Sequence, residues 1–302
     1  MLLYFFVFLF RVVLAYQGGK IFGGRYAKEG EFPFVVSVHT ETDCAGSLVT
    51  LSKVVTAAHC FKYKADDQVK DVNLMNAWVT AGSIDEEKGS DEFDNRGIEM
   101  ISVPNEYKYG SRWNGRLDSH DVGLVFLDYP FYAGRMLQPM KIVSRKKAVF
   151  KQKWDEIVAM RTVCYAMGWG TTAFIIIDND IEMPSMSSSI LKVIEVSPLP
   201  NKTCQAEYKP EDDMTMYGEI CVKSIRENET ICDGDSGGPL VCNGHSYAIL
   251  THGPKCGDSS SSQGYVLFWY YLDFLGLTEA STSTNPKCHL LLFFLPVLSK
   301  YT

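Results

Sequence analysis

Three short stretches carry residue types suited to chemistry. In Cys232-Asp233-Gly234-Asp235-Ser236-Gly237-Gly238-Pro239-Leu240 a serine stands between Asp-Gly-Asp and Gly-Gly-Pro. The glycines permit backbone conformations closed to residues with a Cβ. Such a turn can hold a hydroxyl outward and aim neighbouring N–H groups at one point. Acyl transfer needs that combination, a nucleophile beside donors for a developing oxyanion. Taken alone, the stretch reads equally well as a surface Gly/Asp turn. Thr56-Ala57-Ala58-His59-Cys60 sets a histidine behind the apolar pair Val54-Val55, and Asp121 heads the strand-like run Val122-Gly123-Leu124-Val125-Phe126-Leu127. Singly, the histidine is a candidate core residue and the aspartate a candidate strand cap. Together the motifs give the chain order His59, Asp121, Ser236.

In these motifs and that order, the chain resembles the secreted trypsin/chymotrypsin-type serine endopeptidases over residues 21–277. The resemblance implies an all-β fold of two six-stranded antiparallel β-barrels with a short C-terminal helix. It implies that Ser236 is the nucleophile, His59 the general base and acid, and Asp121 the group orienting His59. The N–H groups of Gly234 and Ser236 would form the oxyanion hole. Thr251-His252-Gly253 resembles the Ser-Trp-Gly strand that pairs with substrate backbone, with Thr251 supporting Asp121 and His252 replacing the indole. Thr230, six residues before the serine, would form the pocket base, where trypsin-like members carry an aspartate; Gly253 and Gly264 would form its open walls. A neutral, open slot favours an aromatic or long apolar residue over a cation, which would be buried without a partner. Lys20 followed by Ile21-Phe22-Gly23-Gly24 resembles an activation site, at which cleavage frees an Ile21 ammonium to pair with Asp235.

Nine cysteines in such a chain point to a disulfide framework. Spacing leaves the connectivity open, but the family pattern implies Cys44–Cys60, Cys164–Cys242, Cys204–Cys221 and Cys232–Cys256, with Cys288 left over. The cysteines lack close paired spacing with histidines, so no metal is expected, and no cofactor is implied. The implied partners are protein or peptide substrates, an activating protease and protein protease inhibitors, with the enzyme a monomer. A homologue retired from catalysis and kept as a binding protein is the rival reading. Such relatives usually lose a triad residue, and none is missing here.

The elements that must hold these residues follow from the rest of the chain. Hydrophobic residues make up 46% and charged residues 22%, enough apolar content for a globular core. A net charge of −7 argues against nucleic acid as a partner. Residues 1–15 are almost wholly apolar and end in Val13-Leu14-Ala15. They read as a signal peptide for secretion, an uncleaved anchor being the alternative. Residues 16–20 would be the activation peptide, 21–278 the protease domain and 279–302 a tail. Short strand-like runs separated by turns fill the body, an all-β pattern. The acidic stretch 85–92 offers oxygen ligands for calcium or a plain solvated loop. Residues 141–153 carry six basic side chains and read as a solvated linker between barrels, or less readily as an exosite. Sequons begin at Asn201 and Asn228. The tail holds the polar Ser281-Thr282-Ser283-Thr284 and an apolar run at 290–298, a loosely packed end or a lipid-anchor signal.

Overall fold

The structure is a computed structural model, which describes residues 23–65, 68–86, 94–112, 117–177, 181–208 and 217–278. The expectations for the signal and activation segments, for most of the acidic loop, for Cys288 and for the tail lie outside the described residues. In chain order the first strands are β1 (Arg25–Tyr26), β2 (Val35–His39), β3 (Cys44–Thr50), β4 (Lys53–Thr56), β5 (Lys62–Ala65), β6 (Gln68–Asp71), β7 (Trp78–Thr80) and β8 (Asn95–Ser102). There follow β9 (Lys108–Arg112), β10 (Leu117–Ser119), β11 (Gly123–Leu127), helix α1 (Lys147–Ala159), β12 (Cys164–Gly168), β13 (Thr171–Ile177) and β14 (Ile181–Ser187). The last are β15 (Lys192–Pro198), α2 (Asn201–Tyr208), β16 (Glu219–Ser224), β17 (Pro239–Cys242), β18 (His245–His252), β19 (Gln263–Leu267) and α3 (Phe268–Tyr271).

Two closed six-stranded antiparallel barrels result. The first runs β11-β4-β3-β2-β7-β8 and closes where β8 pairs with β11. The second runs β15-β12-β17-β18-β19-β16, with β15 pairing β16 to close it and β1 added beside β15. The strands are rich in β-branched residues that suit a pleated, packed surface. Val36, Val38, Val54, Val55, Val79 and Val125 are wholly buried in the first barrel, and Val196, Leu240, Ala248 and Ile249 in the second. The pairs β5–β6, β9–β10 and β13–β14 are separate hairpins.

The segment between the barrels is not a solvated linker throughout. Residues Lys147–Ala159 form α1, which buries Phe150, Trp154 and Ile157. Their spacing of four and three residues puts them on one helical face. Phe150 and Trp154 pack on Tyr247 of β18, with ring centroids 5.3 and 5.7 Å apart. The helix's lysines are largely engaged at the surface: Lys151 with Asp155, Lys153 with Glu156, and Lys147 with Asp273 beyond α3.

Disulfides join Cys44 to Cys60, Cys164 to Cys242, Cys204 to Cys221, and Cys232 to Cys256. The first closes a separation of 16 residues around the His59 turn, a constraint worth about 3 kcal/mol.

Candidate active site

His59 sits in a 3-10 turn, Ala58–Phe61, directly after β4. The neighbouring strand β11 pairs with β4 in the register Gly123↔Thr56, which brings Asp121 alongside that turn. His120 precedes it with φ 52°, in the left-handed region, and its carbonyl accepts the Val122 N–H at 2.8 Å. The buried His120 ring bonds to the Tyr271 hydroxyl at 2.9 Å and packs on Tyr217 at 4.6 Å. It is therefore a structural residue that shapes the turn presenting Asp121.

Asp121 holds His59 at two points. One carboxylate oxygen lies 2.6 Å from Nδ1, and the other accepts the His59 backbone N–H at 2.9 Å. This fixes both the position and the tautomer of the imidazole, leaving Nε2 without its proton when the ring is neutral. Asp121 is buried, whereas 27% of the His59 side chain is exposed. Burial lowers the His59 pKa, but the charge and hydrogen bond of Asp121, with the charge of Asp118, outweigh it, and the net shift is upward.

Ser236 belongs to the second barrel's approach to β17. Its carbonyl accepts the Ala45 N–H of β3 at 2.8 Å. Gly237 follows with φ 80°, and a Cβ there would collide with the Thr56 hydroxyl and the Ala45 carbonyl. The serine turn is thus pressed onto the strands that carry the His59 turn. Gly234 has φ 96° and lies against Gly170. Within the turn, the N–H groups of Asp235, Gly237 and Gly238 donate to protein carbonyls. Among the described residues, no protein acceptor takes the N–H of Gly234 or Ser236.

Asp235 is wholly buried. Its oxygens accept the N–H groups of Gly170 and Cys232, each at 2.8 Å. Burial nonetheless pushes its pKa up to about 7, against the pull of those two bonds, and the charge of Asp233 adds to the rise.

The residues expected to form an open slot are arranged differently. Thr230 is buried and accepts the Gly257 N–H at 2.8 Å. At Gly253 an added Cβ would meet Cδ1 of the buried Ile231, so an isoleucine covers that wall. Gly264 pairs with His252 across β18 and β19, and a Cβ there would overlap the His252 ring. Strand alternation turns the flanking Gln263 and Tyr265 to the opposite face. Gln263 is wholly buried and donates from Nε2 to the Ser224 hydroxyl at 2.9 Å. The Thr251 hydroxyl does not reach Asp121; it contacts His252 Nδ1 at 3.1 Å and the Gly264 carbonyl at 3.3 Å. With histidine in place of an indole, the threonine finds a polar neighbour on its own strand.

Asp118 is a site residue that motif reading misses. Its carboxylate accepts the Tyr107 hydroxyl at 2.8 Å and the Gly110 N–H at 2.6 Å. Burial raises its pKa, and the Asp121 charge raises it further. Its position three residues before Asp121 was the available signal.

Two antiparallel barrels, with a clasped His–Asp pair on one and a glycine-bounded serine turn packed against it from the other, define a serine-type endopeptidase. The family model described as Trypsin matches residues 21–275, and the chain belongs to that family. It is 27% identical to trypsin of Sus scrofa over 263 residues, covering 87% of this chain and 96% of that protein. It is 28% identical to serine protease 1 of Rattus norvegicus, covering 78% of this chain and 80% of that one. The fold is also that of mouse neuropsin, a serine protease, with a TM-score of 0.64 at 22% identity, covering 84% of this chain and 97% of that chain.

Proposed function

We propose that this endopeptidase is a secreted zymogen that hydrolyses peptide bonds through Ser236, His59 and Asp121. The observation that carries the reading is the double hold of Asp121 on His59, beside the packed serine turn. Ser236 attacks the scissile carbonyl as His59 Nε2 takes its proton. The Gly234 and Ser236 N–H groups receive the oxyanion, each such donor being worth about 3–4 kcal/mol. His59 then gives the proton to the leaving amine, and water repeats the sequence on the acyl-enzyme.

Cleavage after Lys20 by an activating protease frees Ile21, whose ammonium pairs with Asp235. The serine turn, which begins at Asp235, is thereby locked in its working shape. Four disulfides fit an oxidising, extracellular compartment. Thr230, at the expected pocket base, is buried and uncharged, so a cation there would lack a partner, and the preference is for Phe, Tyr, Leu or Met over Lys or Arg. A labelled fluorophosphonate tests the central claim: it should modify Ser236 in the cleaved protein only. Absence of labelling after cleavage at Lys20 would refute it.

A further inference from the structure

We propose that Asn201 carries an N-linked glycan, and that its first N-acetylglucosamine seats in an apolar recess between α1 and the second barrel. The modification rests on the reading of this chain as secreted and is independent of the triad. The sequon Asn201-Lys202-Thr203 has a middle residue other than proline and a hydroxyl at its third position. Asn201 opens α2, and all three residues are exposed. The fold therefore accommodates a bulky, polar group at this point. At the other sequon, by contrast, Thr230 is wholly buried and its hydroxyl accepts the Gly257 N–H.

The surroundings of Asn201 give the sugar a seat. Asn201 lines a recess of about 520 Å³, within the range of about 300–1,000 Å³ typical of small-ligand sites. Val158 of α1, Ile220 of β16 and Trp269 of α3 supply apolar walls. Val158 and Trp269 are only half-buried, so the recess leaves apolar surface against water. Covering that surface is favourable, and the C–H face of a pyranose ring can lie flat on an indole. The sugar's hydroxyls and acetamide also need partners. Asp155 and Arg161 line the same recess as acceptor and donor. Among the described residues, the Arg161 side chain has no partner, which leaves its N–H groups to a sugar oxygen.

A sugar bonded to α2 and packed on α1 braces that helix against the second barrel. It does so in a recess that shares no residue with the one containing His59.

The full chain is expressed in a eukaryotic cell line and collected from the medium. Release of the glycan by peptide N-glycosidase in ¹⁸O-water, followed by peptide mass spectrometry, reads occupancy at Asn201. Hydroxyl-radical footprinting reads the accessibility of Trp269 and Val158. Thr203→Ser should keep the glycan and the wild-type footprint. Thr203→Ala should lose the glycan while leaving every residue that lines the recess unchanged, and Trp269 and Val158 should then be labelled roughly twofold more or higher. Folded wild type stripped by the glycosidase supplies the same comparison should Thr203→Ala fail to fold. A secreted chain with bare Asn201 would overturn this proposal alone, and a chain that never enters the secretory pathway would overturn the secreted reading with it. An occupied Asn201 with equal labelling of Trp269 in the presence and absence of the sugar would overturn the recess as its seat.

Discussion

Asp235 makes the stability of the uncleaved chain depend on pH in a calculable way. Its folded pKa is pushed up from 3.8 to about 7. The folded state therefore holds this proton more tightly than the unfolded state. The stability it contributes is fully present below about pH 4 and is lost as pH rises through about 7. A shift of about 3 units corresponds to about 4 kcal/mol. Pairing with the Ile21 ammonium after cleavage would lower the pKa and recover much of that loss. The assay is urea unfolding between pH 4 and 8 on Ser236→Ala protein, which cannot digest itself. One sample is cleaved at the 20–21 bond and the other is blocked by Lys20→Gln. The blocked protein should lose about 4 kcal/mol across the range relative to the cleaved one, and Asp235→Asn should erase the difference. Equal pH slopes for cleaved and blocked protein would refute the reasoning, because the buried carboxylate would then gain nothing from a new amino terminus.

Other expectations concern catalysis and specificity. Ser236→Ala should lower turnover by roughly four to six orders of magnitude, with His59→Ala nearly as severe and the double variant little worse; turnover within tenfold of wild type would exclude the mechanism. Because the His59 pKa is raised, kcat/KM should fall on acidification at a higher pH than a free imidazole would give, and a pH–rate profile checks this. On matched peptides, kcat/KM should favour Phe over Arg before the scissile bond, and Thr230→Asp should shift preference toward Arg; a tenfold preference for Arg in wild type contradicts the neutral pocket.

The parts of this molecule legible in sequence are those set by short-range necessity. The glycines around Ser236 announce a turn because a side chain rarely adopts φ 96°, as at 234, and would collide with Thr56 and Ala45 at 237. The apolar runs at β4 and β11 announce strands, and their pairing places Asp121 beside His59. What stayed hidden depends on register and packing between distant segments. Gly264 reads as a pocket wall until the β18–β19 register sets it opposite His252. The loop before β19 decides that register, and one residue of slip exchanges the two faces of a strand. The Thr251 hydroxyl depends in the same way on which neighbour lies within reach. At α1 the signal was present: Phe150, Trp154 and Ile157 recur at helical spacing, but the density of lysines around them suggests solvent instead. Asp118 resembles any loop acid until β9 and β10 fold it against Tyr107.

Among the described residues, the four disulfides lie within one barrel or the other, and none crosses between them. The candidate base and its carboxylate belong to the first barrel and the serine to the second. Oxidative folding can thus lock each half covalently without specifying how the halves meet. Their docking is left to reversible contacts such as the Ala45–Ser236 bond and the close approach of Gly237 to Thr56. Peptidase activity in this architecture is an assay for quaternary-like assembly inside a single polypeptide: a chain with every disulfide correct but its halves apart would pass a thiol titration and still hydrolyse nothing.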